Sequence, residues 1–308
     1  MIRLIISGAN GYFGSIACQY FEDKGWQVLK ACRQDNADIW CDLDSPEQFA
    51  KLTIDSHVDL FIHAAAAHEV TCREQPYRSI YQNVVGTKAA LDFCVKNNIE
   101  HFIYLSTFHV FGHPKGEINE STEPLPVNDY GLSHLQAEQY VQMYTREGKI
   151  KGMVIRPSNF FGIPVDLDKF GRWTLVPLAF CREAIETHKI VLKTPGLQKR
   201  NFVSVNDICR VIENSYVLIE KIPLLHIYGV NTISIRGLAE LVQNVMINNF
   251  NNKVELVIPN NIYSSYFPQR NEFTYTSKYL KEIYEPRGRI ENFIVDFVDL
   301  FKGIKSVE

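Results

Sequence analysis

The 308-residue sequence has no apolar run approaching the roughly 20 residues of a membrane span. It also lacks an excess of either charge: 32 Lys and Arg stand against 35 Asp and Glu, for a formal net charge of −3. That is no footprint for nucleic acid or an anionic membrane, so neither is expected as a partner. The seven cysteines (18, 32, 41, 72, 94, 181 and 209) are odd in number, widely spread and include no C-x-x-C pair. They read as reduced thiols rather than a disulfide framework or zinc site. His57, His63 and His68 straddle an apolar run without metal-ligand spacing, so no metal is expected. Low complexity is absent too, since 46% hydrophobic and 22% charged residues is ordinary globular usage. An apolar strand pattern starts at Ile2, so no signal peptide is expected. The expectation is a soluble, cytoplasmic protein.

What the chain does contain is alternation. Leu4–Ser7, Gln27–Ala31, Val58–His63, Phe102–Ser106 and Gly152–Ile155 are short runs rich in Ile, Val, Leu and Phe, as buried parallel strands require. Helical spacing fills the gaps, notably over Tyr77–Asn97 and Tyr130–Glu147. This pattern predicts an α/β fold, a doubly wound parallel sheet of Rossmann type with a smaller C-terminal α/β lobe. The dinucleotide-binding part is expected over residues 1–162 and the second lobe over 163–308, with parts of 201–230 returning to the first sheet. Helical patterns recur at Ile235–Asn248 and Arg289–Phe301.

The first strand runs directly into Ser7-Gly8-Ala9-Asn10-Gly11-Tyr12-Phe13-Gly14, and a helical pattern follows. A tight strand-to-helix turn needs glycine, a pyrophosphate must approach bare backbone, and a helix N-terminus supplies N–H donors. Glycines in this context predict a dinucleotide site.

The G-x-x-G-x-x-G spacing resembles that of the extended short-chain dehydrogenase/reductases, which include sugar-nucleotide epimerases, dehydratases and ketoreductases. Further matches follow in chain order. Asp59–Ala66 resembles the family's fourth strand, with Ala64, Ala65 and Ala66 lining the cofactor. Asn83-Val-Val-Gly-Thr-Lys88 resembles its central helix, and Tyr104–Gly112 its serine/threonine strand. Arg156–Gly162 resembles its post-catalytic strand, and Arg200–Asp207 and Arg270 complete the series. The resemblance implies a cofactor site of Gly8, Asn10, Gly11, Tyr12, Phe13, Gly14, Asp42, Leu43, Ala64, Ala65, Ala66 and Asn83.

Cys32 stands where an NAD enzyme of this family carries an acid for the adenosine ribose, and Arg33 follows it. A guanidinium there suits a 2′-phosphate through forked, charge-assisted contacts, so NADP is the expected cofactor, with NAD as the alternative.

The family's chemistry uses a Ser/Thr, a Tyr and a Lys four residues beyond the Tyr. Thr107 and Tyr130 take the first two positions, and His134 stands where the Lys should be. Tyr130 and His134 share a helical face. Moving a phenol from ~10 toward ~7 takes about 4 kcal/mol, which a neutral imidazole does not supply. A protonated one would, which predicts activity dependent on His134 protonation. Tyr130 and His134 thereby join the cofactor site as well as the catalytic set. His109, two residues after Thr107, is expected on the same strand face, where relatives keep an additional acid/base group. Phe108 replaces the Asp of the dehydratases, which argues against 4,6-dehydration.

The resemblance implies that Asn159, Arg200 and Arg270 bind a nucleotide sugar, the arginines holding its diphosphate. Aromatic residues of the second lobe (Trp173, Phe180, Tyr263, Tyr266 and Phe267) suit either base stacking or a core. The reading is an NADP-dependent reductase of a nucleoside diphosphate 4-ketosugar, serving surface polysaccharide or deoxysugar synthesis. The alternatives are a sugar-nucleotide epimerase, a reductase of a small carbonyl compound, or a non-catalytic dinucleotide-binding regulator. The helices at Tyr77–Asn97 and Tyr130–Glu147 resemble the family's dimer seam, so a homodimer is expected.

Overall fold

Short apolar runs become parallel strands here because helices on both sides bury both of their faces. The computed structural model describes residues 1–34, 37–259 and 273–305. In chain order the elements begin β1 (Arg3–Ser7), α1 (Tyr12–Asp23), β2 (Gln27–Cys32), β3 (Ile39–Trp40), α2 (Pro46–Ala50) and β4 (Leu60–His63). They continue with α3 (Glu69–Glu74), α4 (Pro76–Ile80), α5 (Gly86–Lys96), β5 (His101–Leu105), β6 (Gly116–Ile118), α6 (Asp129–Arg146) and β7 (Lys151–Pro157). Next come β8 (Asn159–Phe161), α7 (Val176–Glu186), β9 (Lys189–Val191), β10 (Lys199–Ser204), α8 (Val205–Ser215) and β11 (Leu224–Ile227). The last are β12 (Asn231–Ser234), α9 (Ile235–Phe250), β13 (Glu255–Val257), β14 (Phe273–Tyr275), α10 (Leu280–Ile283) and α11 (Ile290–Lys305).

The chain divides into two units. The first comprises Met1–Pro157, Ile208–Ile227 and Phe273–Glu285. Its seven-stranded parallel sheet has the order β11-β7-β5-β4-β1-β2-β3. The expected Rossmann-type sheet is therefore present. The order reverses between β1 and β4, and the crevice beyond the carboxyl ends of strands at such a reversal is where ligands bind. Phe49, Phe61, Phe93 and Phe102 fill the core under this edge, with Phe61 and Phe102 stacked at 5.4 Å.

A buried ion pair ties three elements of this unit together. Glu138 on α6 accepts two hydrogen bonds from Arg156 on β7 (Nε at 2.9 Å, Nη2 at 2.5 Å) and one from the Ser106 hydroxyl just after β5. The Arg156 guanidinium also lies 5.1 Å from the Phe111 ring, and the Tyr275 hydroxyl donates to the Arg156 carbonyl.

The second unit comprises Ser158–Asp207, Tyr228–Glu272 and Pro286–Glu308. In it β10 pairs with β8 in parallel and with β12 antiparallel. Phe293, Phe297 and Phe301, spaced four apart on α11, stack in a row. Trp173 meets Phe297 and Phe301 edge-on, and Phe180 is buried, so both serve this core rather than a stacking surface. Tyr263, Tyr266, Phe267 and Arg270 lie outside the described residues.

The expected single helix over 77–97 is interrupted. Tyr81–Val85 widens into a π-helical turn between α4 and α5, and it carries Asn83 inward. Such turns commonly mark functional sites. Among the described residues no helix is long and apolar enough to cross a membrane.

Three histidines of the first unit, His63, His134 and His226, are buried. Burial holds them neutral by lowering their pKa values to about 3, about 3 and about 4. Each folded value lies below the ~6.5 of an unfolded histidine, so the folded protein binds fewer protons. The stability they contribute is complete above about pH 6.5 and is lost as pH falls toward the folded values. Each withdraws up to about 1.4 kcal/mol per pH unit in that window. Urea midpoints measured from about pH 7 down to about pH 4.5 should therefore fall steeply, and less steeply in His134→Gln. Equal slopes for the two proteins would contradict the assignment.

Candidate functional site

Gly8 leaves β1 with φ of +73°, a conformation that favours glycine, and a Cβ there would stand 2.9 Å from the backbone of Ala65. A Cβ at Gly14 would strike the Gly8 carbonyl oxygen. Gly14 therefore seats α1 against the turn, while Gly8 and Gly11 line the cavity beside it. The helix opens at Gly11 without a side-chain cap, so its positive end meets that cavity. The space is about 430 Å³, walled by Gly8, Asn10, Gly11, Cys32, Arg33, Asp42, Leu43 and the run Ala64, Ala65, Ala66 and Ala67. Tyr12 and Phe13 form the first turn of α1 behind it. Bare backbone, a helix N-terminus and small side chains suit a dinucleotide pyrophosphate.

At one end Arg33 is exposed, and the Asn10 amide donates to the Cys32 sulfur (3.1 Å) and Gln34 Oε1 (2.5 Å). Arg78 adds a second cation to the lining and pairs with Asp44 at 2.5 Å. The Arg78 hydrogen bond holds the Asp44 carboxyl below its usual range. Asp42 accepts from the Asp44 backbone N–H and shapes this loop. Leu43 rests on Gly86, where any Cβ would displace it.

One residue expected on the cofactor wall, Asn83, stands behind it, and so does His63. Asn83 is buried, its Oδ1 accepting from the Ala67 N–H (2.6 Å) and its Nδ2 donating to Ser133 Oγ (2.9 Å). With its amide engaged on both sides, it braces the alanine run rather than facing a ligand. His63, the last residue of β4, is fully buried, with Nδ1 2.7 Å from Ser7 Oγ. Among the described residues no three His, Cys, Asp or Glu side chains gather to hold a metal. His68 instead caps α3, its Nδ1 accepting from Thr71 N–H.

Thr107, Tyr130, His134 and His109 come together at the N-terminus of α6. Asn128 caps that helix by accepting from Gly131 N–H at 2.9 Å. A Cβ at Gly131 would collide with the His109 carbonyl oxygen, so this glycine is what lets Tyr130 approach the other strand end. Tyr130 is half-buried, and its ring meets His134 edge-on at 4.7 Å and His109 at 5.6 Å. The Thr107 hydroxyl accepts from His109 N–H (3.2 Å), so its own proton remains to donate.

The geometry corrects two expectations. β5 ends at Leu105, and Phe108–Phe111 coils into a 3₁₀ turn capped by Thr107. The two-residue strand alternation does not apply to His109, and its ring reaches Tyr130 from a helical turn instead. His134 is 3% exposed, with Nδ1 bound to the Tyr104 hydroxyl at 2.7 Å. Burial first, then the nearby His109 and His63, push its pKa down to about 3. It stays neutral near neutral pH, not in the protonated form on which the expected pH dependence rested.

In the second unit Asn159 lies on β8, half-buried, with Nδ2 donating to the Asn201 carbonyl at 3.2 Å. Arg200 lies on β10, paired in register with Ile233. Sequence reasoning missed the hub beside them: buried Asn201 joins Ser158, Gly229 and Thr232. It also missed Glu138 and Tyr104. An Arg inside the apolar Val154–Pro157 run and a Tyr inside Phe102–Leu105 were signals that buried polar partners must exist.

The sequence profile of the NAD dependent epimerase/dehydratase family matches residues 4–218. The dTDP-D-glucose 4,6-dehydratase of Bos taurus is 29% identical over 214 residues, covering 67% of this chain and 58% of that protein. The chain thus spans under two-thirds of the length of such curated relatives. The UDP-glucose 4-epimerase of Thermotoga maritima, solved with UDP-glucose, has a TM-score of 0.77 at 19% identity, covering 100% of both chains. RMD from Pseudomonas aeruginosa, complexed with NADPH, has a TM-score of 0.80 at 19% identity, covering 97% of this chain and 98% of that one. With the glycine turn, the parallel sheet and 215 matched residues in agreement, the chain belongs to the NAD dependent epimerase/dehydratase family.

Proposed function

We propose that this protein reduces the keto group of a nucleoside diphosphate 4-ketosugar with NADPH. The observation that carries the reading is His134, desolvated and neutral where the family's chemistry uses a permanent cation. Reduction needs a phenol that still holds its proton, and an uncharged neighbour leaves the proton in place. Oxidation needs the phenolate, which a neutral imidazole does not stabilise electrostatically. An epimerase must run both directions, so the neutral site favours a reductase.

A nicotinamide nucleotide held by these residues would supply the hydride. Tyr130 donates its phenolic proton to the substrate's carbonyl oxygen, and the Thr107 hydroxyl hydrogen-bonds the same oxygen. The imidazole of His134 holds the nicotinamide ribose, and His109, at the edge of the Tyr130 ring, serves as an auxiliary proton donor. Gly8, Gly11 and the α1 N-terminus receive the pyrophosphate, with Gly14 seating the helix. Asp42 and Leu43 face the adenine, and Arg33 takes the 2′-phosphate. In the second unit Asn159 and Arg200 hold the nucleotide sugar, Arg200 on its diphosphate, together with Arg270. The protein works as a homodimer in the cytoplasm, serving polysaccharide or deoxysugar synthesis. Tyr77, which is 89% exposed, and the exposed Ile80, Tyr81 and Leu132 give α4 to α6 an apolar surface for the second copy.

Turnover of NADPH with a panel of 4-ketosugar nucleotides tests the reading, and Tyr130→Phe should abolish it. Arg33→Ala should weaken NADPH by about 1.5–3 kcal/mol while leaving NADH nearly unchanged. Equal losses for both cofactors would overturn the NADP assignment. No turnover, with cofactor still bound, would leave the regulator reading in place. Light scattering should give twice the chain mass for wild type and a monomer for Tyr77→Glu. A wild-type monomer would contradict the dimer.

A further inference from the structure

Tyr104 has no place in the chemistry above, yet its position is tightly determined. It is buried on β5, on the same strand face as Phe102. The His63 ring stacks on it at 5.9 Å, and His63 is itself fixed by Ser7. From this rigid seat the Tyr104 hydroxyl reaches His134 Nδ1 across the gap between β5 and α6. The other ring nitrogen of His134, Nε2, is buried without a hydrogen-bond partner. Orphaned buried polar atoms are rare in folded proteins, and each calls for a ligand or a water. This one belongs to a ring packed edge-on against Tyr130, the group placed at the reacting carbonyl.

A neutral imidazole accepts at one nitrogen and donates from the other. A phenol is the stronger donor of the two partners, so Tyr104 O–H donates to Nδ1 and the ring hydrogen resides on Nε2. Without Tyr104 the ring could turn over or exchange tautomers, because this torsion is broad and nearly two-fold. We propose that Tyr104 is a positioning residue that locks His134 as its Nε2–H tautomer and reserves that single N–H for the ribose of a bound nicotinamide nucleotide. The pair replaces, with one fixed neutral donor, what a lysine would provide as a mobile charged one. This inference rests on the nicotinamide reading of the site, and its test separates the two.

The full chain labelled with ¹⁵N histidine should show His134 as a single Nε2–H tautomer before any cofactor is added. Tyr104→Phe should give a mixture. In calorimetric titrations with NADPH, Tyr104→Phe should weaken binding by about 3–10-fold. The same change in a His134→Lys background should be silent, because an ammonium needs no tautomer partner. A purely structural Tyr104 would lower affinity equally in both backgrounds. An Nδ1–H tautomer in the wild type, unchanged affinity in Tyr104→Phe, or equal losses in the two backgrounds would each overturn the proposal. A wild-type chain that binds neither NADPH nor NADH overturns the cofactor reading and the role of Nε2 with it.

Discussion

The Glu138–Arg156 ion pair is the interaction on which the site's geometry depends. Glu138 is completely buried and Arg156 nearly so, and three charge-assisted hydrogen bonds converge on one carboxylate. Removing one partner of such a pair costs about 3–5 kcal/mol, because the other charge is left stranded in a dry interior. Exposed pairs such as Lys151–Glu100 contribute under ~1 kcal/mol. The buried pair fixes α6 against β5 and β7. Tyr130 and His134 lie two turns and one turn before Glu138 on that helix, and Thr107 directly follows Ser106. One salt bridge thus sets the spacing between the phenol and the hydroxyl. Its contribution is specificity of arrangement more than net stability.

His63 and His134 are both desolvated and neutral, and the rings of His63, Tyr104, His134 and Tyr130 adjoin one another in sequence. A chain of uncharged rings can orient hydrogen bonds, but it does not stabilise a phenolate. Arg33 and Arg78 line the cavity beside the glycine turn instead. Cations beside the glycine turn suit an anionic nucleotide, and uncharged rings suit a phenol whose resting form is protonated.

The sheet was legible in the sequence because a strand buried on both faces needs a short continuous apolar run, and the five runs named there are five of its strands. The glycine turn was legible because backbone approach leaves no alternative residue at Gly8 and Gly14. Side-chain partners were not. Periodicity assigns a residue to a face, but it does not say which polar atom meets which. Asn83 has the right face and the wrong role, because a π-helical turn redirects it onto Ala67 and Ser133. Strand alternation places His109 on the strand face, but β5 ends at Leu105, four residues before it, and Thr107 caps a 3₁₀ turn. His134 was identified as the departure from the family's pattern. Its neutrality follows from burial first and then from His109 and His63, none of which local sequence reveals.

Under the proposed reduction, Tyr130 gives up its proton beside a His134 that is neutral near neutral pH. The pH dependence of single-turnover NADPH oxidation with a 4-ketosugar nucleotide tests it most directly. Between about pH 6 and about pH 8, the range in which an ordinary histidine titrates, the rate profile should have the same shape in wild type and in His134→Gln. A step near ~6.5 that disappears in His134→Gln would contradict it.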